Sequence, residues 1–489
     1  MTNNLTRRLS AQDAGFLYLE RSNAPLHIGS LGIYEGELSY ERFVQHLDAR
    51  LPSIPRYRQR VAFVPFQLFH PTWEDDPDFE IRNHVHHVTL QSGGGEQQLA
   101  ELAAELFARP LDRDRPLWEM FIINGLENGR SALLAKVHHC LVDGVSGIEL
   151  LMATLDISPD PSPMPEPPPW DPGPLPDLNE RLADAFWDQL SLQREALQEF
   201  VENLIDPWSR LQQTREVLDA LDLTSTWSNQ PSPETPFTVE LGTERRLAFS
   251  DISFVEIREI RASLGGTVND VVLAVLAGAL RRYLILHDYD VEGLEFRVAI
   301  PVNVRVDEEQ AELGNRISCM LAALPVGEPD PVKQLNIIRE RLDQLKQANQ
   351  AGGLAQLSRM AAYAPASIQA LAGLAPPDNT MINLICTNVP GPMIPLYCVG
   401  RPMLAHYPLV PLSLNLGLSV GVTSYNHRLY FGLIADPNAV PDVENLKGCL
   451  DESFFELRSA AGVAPSEELS FRGQSGNHDG AAASTAVTD

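Results

Sequence analysis

The chain has 489 residues, 44 % of them hydrophobic and 21 % charged, too many for one ordinary core of roughly 100 to 200 residues and balanced like a globular protein. Two domains with connecting material are expected. A formal net charge of -28 disfavours a nucleic-acid partner, since binding there depends on Lys and Arg displacing counterions from phosphates.

The N-terminus "MTNNLTRRLSAQDAGFLYLE" has no apolar run after its arginines and does not read as a signal peptide. From Ser10 to about Leu155, β-like and helix-like stretches alternate. "LHIGSLGIYEG" reads as a strand, "YERFVQHLDARL" as a helix and "FEIRNHVHHVTL" as a strand, and "EQQLAELAAELFARPL" has helical spacing before Pro110. "RYRQR" (Arg56 to Arg60) runs against the global charge and reads as a solvated loop, with contact to a phosphate or anionic headgroup as the sharper alternative. "SALLAKV" is a buried strand, and "GVSGIELLMATL" is an amphipathic helix with Ile148, Leu151, Met152 and Leu155 on one face.

Proline crowds the segment from Ile157 to Asp177, so neither a helix interior nor a central strand can form; an extended connector ends the first domain. Helical periodicity follows, with Phe186, Leu190, Leu197 and Phe200 as an apolar stripe facing another helix or the body of the protein; a lipid-surface helix is the sharper alternative, disfavoured by a polar face rich in Asp and Glu. A second α/β region runs from about Phe237 to Ala461. In it, Thr267 and Asp270 have capping-box spacing at the start of a buried helix, "EFRVAIPVNVR" is a strand, and Ser424 to His427 is a turn between two strands. The divisions are 1–156, 157–236, 237–464 and a disordered tail over 465–489. The five cysteines are scattered without paired spacing, which suits a reducing cytoplasm. The most apolar windows fall short of the roughly 18 residues that span a bilayer, so any membrane contact is peripheral.

"KVHHCLVDGVSG" (136–147) sits at the resulting strand-turn-helix junction. Strand alternation sends His138 and His139 to opposite sides, which weakens a two-histidine metal site, and no third ligand lies nearby. One histidine is then the candidate base, because a neutral imidazole accepts a hydroxyl or thiol proton near neutral pH. Asp143, four residues after His139, either bonds the imidazole or holds the turn. The turn role is favoured because Asp143 and Gly144 form a turn dipeptide, and Gly144 allows close approach by substrate.

H-H-x-x-x-D-G closing a strand resembles the CoA-dependent acyltransferase superfamily. The motif order "LSAQDAGFLYLE", "PLHIGSLGIYEG", "RPLWEMFIINGL", "KVHHCLVDGVSG", "TVNDVVLAVLAGALRRYL", "IPVNVR" and "TNVPGP" is similar to that of bacterial bifunctional wax ester synthase/acyl-CoA:diacylglycerol acyltransferases. The resemblance implies a mixed α/β fold of two chloramphenicol-acetyltransferase-like subdomains with an active-site tunnel between them. It implies long-chain acyl transfer from acyl-CoA to diacylglycerol or long-chain alcohols, with His139 as general base, no acyl-enzyme and no cofactor or metal. His138 supports the base. Asn269, Asp270 and Asn388 are the candidates for substrate binding or for the oxyanion donor, although capping alone also accounts for Asn269 and Asp270. Pro116, Leu117 and Trp118 are read as packing beneath the active-site strand, and Val389 and Pro390 as fixing a loop. Arg305 is the candidate partner of Asp143. Lipid inclusions or the inner membrane face would be touched peripherally, and oligomeric state is left open. The alternatives are a condensation-type acyltransferase fed by a carrier protein, and a non-catalytic lipid-inclusion protein.

Overall fold

Two six-stranded sheets carry the fold of the protein in a computed structural model. It describes residues 8–141, 154–160, 167, 169–205, 232–303, 317–350, 352–355, 366–374 and 381–466. Asp143, Gly144 and Arg305, and with them the proposed aspartate-arginine bridge, lie outside these residues, as do most of the tail and the "GVSGIELL" helix.

The first sheet contains β1 (His27–Tyr34), β4 (Val85–Gly94), β5 (Trp118–Leu126) and β6 (Ser131–His138), in the spatial order β1-β6-β5-β4. The short hairpin β2 (Gln59–Ala62) and β3 (Thr72–Asp75) stands apart. Beyond β1 the first sheet continues with β12 (Arg401–Leu409) and β11 (Tyr397–Cys398), supplied from the C-terminal half of the chain. The second sheet runs β7 (Arg246–Ser253), β14 (Arg428–Ala435), β13 (Leu418–Tyr425), β10 (Leu384–Val389), β8 (Phe296–Asn303) and β9 (Ile317–Leu324). A linear cut near residue 237 therefore does not separate the sheets, because residues 397–409 cross back.

Two glycines make that crossing possible. Gly421 and Gly432 are cross-strand partners on β13 and β14, and a Cβ on Gly432 would lie 1.9 Å from the Pro408 carbonyl oxygen of β12. The main chain of one sheet thus reaches the other where no side chain intervenes. Tyr407 follows, packing on Phe249 with ring centroids 4.8 Å apart and on Tyr430 at 5.3 Å. The 418–435 hairpin turns through Asn426 (φ 41°) and His427 (φ 64°), the left-handed pair of a two-residue turn.

The helices follow their end signals. Ser10 caps α1 (Ala11–Leu19) by accepting the Asp13 N–H at 3.0 Å. Next come α2 (Tyr40–Asp48) and α3 (Glu96–Ala108), then α4 (Leu178–Ile205), α5 (Phe254–Leu264) and α6 (Val268–Leu286). Thr267 and Asp270 form the expected capping box on α6: the Thr267 N–H donates to Asp270 Oδ2 at 2.7 Å, and the Asp270 N–H donates to Thr267 Oγ1 at 3.3 Å. Buried from Asp270 to Leu284 along most of its residues, α6 packs between α7 (Pro331–Gln347) and α9 (Val443–Ala460) in the core of the second sheet. A short helix, α8 (Ala366–Gly373), lies against α1. Among the described residues no single helix is long and apolar enough to cross a membrane.

Two expectations about the middle of the chain change. "RYRQR" is not a solvated loop: Arg56 lies over the Trp73 ring at 4.9 Å, and Arg58, 6 % exposed, lies over Trp170 at 4.9 Å. Trp170 belongs to the proline-rich connector, which is pinned there by its indole N–H donating to the Asp76 carbonyl at 3.0 Å. The apolar stripe on α4 faces outward, with Phe186, Trp187 and Leu190 exposed. Polar side chains attach this helix instead, through Arg181–Glu74 at 2.8 Å and Asp188–Arg8. The side chains of Leu197 and Phe200 lie outside the described residues.

Candidate active site at the histidine corner

β6 ends at His138, and the chain turns at once: the Leu141 N–H donates to the His138 carbonyl at 3.0 Å. His139 occupies the first corner position of this turn. Its backbone N–H donates to the Leu26 carbonyl at 2.9 Å, so the main chain is held while the side chain projects from the corner. The neighbouring strand holds the preceding residue likewise, with the His138 N–H donating to the Leu117 carbonyl at 2.9 Å.

The two imidazoles have different surroundings. His138 is fully buried, whereas His139 is half-buried. His138 Nδ1 accepts the Cys140 N–H at 3.1 Å, so the proton of a neutral ring sits on Nε2. That nitrogen lies 3.3 Å from Glu20 Oε1; the pair is within ion-pair distance but off the angle of a directed hydrogen bond. His139 stacks on Phe16, ring centroids 3.9 Å apart and planes 6° from parallel. Stacking fixes the plane of the ring and occupies a face, while proton exchange takes place at the edge.

One helix face organises this corner. Asp13, Phe16 and Glu20 recur at spacings of three and four along α1 and its C-cap, so they share a side. Phe16 meets His139 and Glu20 meets His138. Glu20 Oε2 also accepts two bonds from Arg113, at 2.7 and 3.1 Å, and Oε1 accepts the Leu26 N–H at 2.9 Å. Burial alone would raise the Glu20 pKa; the closeness of His138 Nε2, with the hydrogen bonds from Arg113 and the Leu26 N–H, overcomes it and brings it down to about 2. Cys140 is no competing nucleophile, since burial pushes its thiol well above the usual range. The sequence reading missed Phe16, Glu20, Leu26 and Arg113; helical spacing within "LSAQDAGFLYLE" was an available signal for Phe16 and Glu20, whereas Leu26 and Arg113 reach the corner through tertiary contacts with no local signal.

Trp118 is 1 % exposed and Leu117 fully buried. The Trp118 ring lies between Tyr57 and His84, each with centroids at 4.5 Å, and its indole N–H donates to the Tyr57 carbonyl at 2.9 Å. Pro116 precedes them, its carbonyl accepting the Trp118 N–H at 2.9 Å. These three buried residues lead into β5, which pairs with the histidine strand edge to edge, so they lie beside that strand in the sheet.

Asn269 and Asn388, 119 residues apart in sequence, are brought together: Asn388 Nδ2 donates to Asn269 Oδ1 at 3.4 Å. Asp270 is buried in its capping role. Val389 closes β10, its carbonyl accepting from Thr423 Oγ1 at 2.9 Å, and the Gly391 N–H after Pro390 donates to Ser424 Oγ at 3.0 Å. A Cβ on Gly391 would meet the Ser424 carbonyl oxygen at 2.2 Å, so only glycine fits this loop. Among the described residues no cluster of three or more His, Cys, Asp or Glu could hold a metal ion. A cavity of about 660 Å³ lies between α3, β7 and the start of α9, and none of the candidate site residues lines it.

Two mixed sheets, one completed by a strand from the C-terminal half of the chain, form a chloramphenicol-acetyltransferase-like fold with two subdomains. A solved structure of TRI3 trichothecene 15-O-acetyltransferase from Fusarium sporotrichioides shares this fold, with a TM-score of 0.61 over 92 % of this chain and 94 % of that one at 14 % identity. Within that class the chain belongs to the wax ester synthase/diacylglycerol acyltransferase family. The family's catalytic-domain model matches residues 9–272 and its C-terminal-domain model residues 313–458. A Mycobacterium tuberculosis H37Rv protein described as a probable diacylglycerol O-acyltransferase, tgs1, is 31 % identical over 92 % of this chain and 95 % of its own length. The wax ester synthase/diacylglycerol acyltransferase of Marinobacter aquaeolei VT8 is similar in structure, with a TM-score of 0.66 and 25 % identity over 94 % of this chain and 100 % of that one. The protein is therefore an acyltransferase enzyme.

Proposed function

We propose that the protein transfers a long-chain acyl group from acyl-CoA to the free hydroxyl of diacylglycerol and to long-chain alcohols, making triacylglycerol and wax esters. The observation that carries this reading is the histidine corner itself, in a chain of this family: a half-buried imidazole stacked on Phe16, its backbone tied to Leu26. His139 accepts the hydroxyl proton as the oxygen attacks the thioester carbonyl. The tetrahedral oxyanion collapses, the carbon–sulfur bond breaks, and the proton passes to the departing CoA thiolate. Atoms and charge balance without an acyl-enzyme or a cofactor.

The oxyanion needs preorganised donors. Asn388, by donating to Asn269 Oδ1, orients the Asn269 amide, whose Nδ2 is the kind of group that role requires. Asp143 and Gly144 keep the role of shaping the turn, with Arg305 as the partner of Asp143, and the reacting groups meet in a tunnel between the subdomains. Both acceptors are lipids, so the enzyme meets them peripherally at a membrane or inclusion surface. The exposed Phe186, Trp187 and Leu190 on α4 support that contact, and flotation with phosphatidylcholine vesicles measures it; a chain that stays with the protein-only fraction removes it.

The test is His139→Ala, assayed with palmitoyl-CoA and a competing mixture of dioleoylglycerol and hexadecanol. Loss of a general base lowers kcat by roughly 100- to 10,000-fold. Undiminished turnover in the variant ends the reading, and turnover with an acyl-carrier protein but not with acyl-CoA replaces the donor.

A further inference from the structure

Glu20 stands outside the motif that identifies the site, yet three structural routes lead from it to His139. The first runs through the strand entry: Glu20 Oε1 accepts the Leu26 N–H, and the Leu26 carbonyl accepts the His139 N–H, both at 2.9 Å. A second runs through the neighbouring imidazole: Glu20 Oε1 lies 3.3 Å from His138 Nε2, and His138 Nδ1 accepts the Cys140 N–H just past the corner. The third is the helix: the Glu20 N–H donates to the Phe16 carbonyl at 3.1 Å, closing the turn that places the Phe16 ring on His139. Arg113 holds the other carboxylate oxygen and also donates to the Leu17 carbonyl at 2.9 Å.

We propose that Glu20 is a positioning residue for acyl transfer: its buried carboxylate fixes the His138 tautomer and the Leu26 backbone, and between them these hold the corner that aims His139. Glu20 does not itself touch the reacting atoms. A carboxylate near His138 Nε2 favours a proton there and leaves Nδ1 bare, which the Cys140 N–H requires. A ring with the proton on Nδ1 would set that hydrogen against the Cys140 N–H and open the turn beside the base. The low Glu20 pKa is consistent with a carboxylate that stays charged throughout the working range. Two adjacent histidines thus divide the labour, one held inside the wall and the other working from it.

This role rests on His139 being the base, and the experiment separates the two. Glu20→Gln keeps the shape and removes the charge; Glu41→Gln, from the exposed pair with Arg82, is the control carboxylate. Palmitoyl-CoA and dioleoylglycerol kinetics are measured for these, for His138→Asn and for the Glu20→Gln/His138→Asn double variant. Misaiming a catalytic group lowers kcat by roughly 10- to 100-fold, with KM changed less than about twofold. The double variant should lose little more than the worse single one, because both act through one network. Wild-type kcat in Glu20→Gln, a loss carried by KM alone, or fully multiplicative effects overturn the positioning role. Turnover surviving in His139→Ala overturns the base reading instead, whatever Glu20→Gln does. If Glu20→Gln does not fold, the wild-type enzyme with ¹⁵N-labelled histidine decides: His138 protonated at Nε2 and bare at Nδ1 supports the role, and the opposite tautomer ends it.

Discussion

Trp118→Phe distinguishes packing from substrate contact in the Pro-Leu-Trp segment. The wild-type indole is 1 % exposed, sandwiched between Tyr57 and His84, and donates to the Tyr57 carbonyl at 2.9 Å. Phenylalanine keeps one ring of the stack but removes the donor, leaving a buried carbonyl short of a partner at about 1–3 kcal/mol. The volume lost between the two side chains adds on the order of 1 kcal/mol of cavity and lost contact. A destabilisation of about 3 kcal/mol follows, read from the urea midpoint by circular dichroism. The histidine strand is held through the Leu117 carbonyl, a backbone bond to the His138 N–H at 2.9 Å, which the substitution leaves in place. Turnover per folded molecule at low temperature should therefore stay within about twofold of wild type. An unchanged urea midpoint together with a raised KM for acyl-CoA would falsify the packing role and put Trp118 against substrate.

Gly432→Ala should destabilise by about 3 kcal/mol or more, since its Cβ would fall 1.9 Å from the Pro408 carbonyl oxygen and one sheet would have to move from the other. A thermal midpoint equal to that of the wild type would show that the crossover strand yields freely. Glu20 also predicts acid sensitivity: its pKa falls from 4.5 to about 2 on folding, so its contribution is complete above the unfolded value and is lost as pH drops through the folded one. That contribution is on the order of 3 kcal/mol. Urea midpoints of wild type and Glu20→Gln should converge between about pH 5 and pH 2; a constant gap refutes the assignment.

Local elements were legible because their signals are local. The α6 capping box, the 418–435 hairpin and the strand ending at His138 each follow from residues within a few positions of one another. The exchange of β12 into the first sheet was not, because its cause is tertiary. Nothing near Tyr407 says that it will face Phe249 and Tyr430, and the room for Pro408 comes from Gly421 and Gly432, more than a dozen residues later. The α4 stripe failed for a related reason. Periodicity identifies an apolar face but not what lies opposite, and the ion pairs Arg8–Asp188 and Arg181–Glu74, with both carboxylates buried, decided which side faces inward.

The histidine pair shows the same limit inside the site. Alternation along a strand predicts that His138 and His139 part, but the strand is buried on both faces and ends at His138, so it is the turn that leaves one ring enclosed and the other half-buried. Alternation cannot say why the enclosed position holds a histidine when any apolar side chain would fill it. The hydrogen bonds answer that: the ring must accept a backbone N–H from Cys140 on one nitrogen and face Glu20 with the other. Asparagine offers an acceptor and a donor too, but on a shorter arm that cannot span from the turn to the helix cap. An interior histidine is thus the piece that lets α1 read the state of the turn, and Glu20, 118 residues upstream, belongs to the same device as the motif it lies outside.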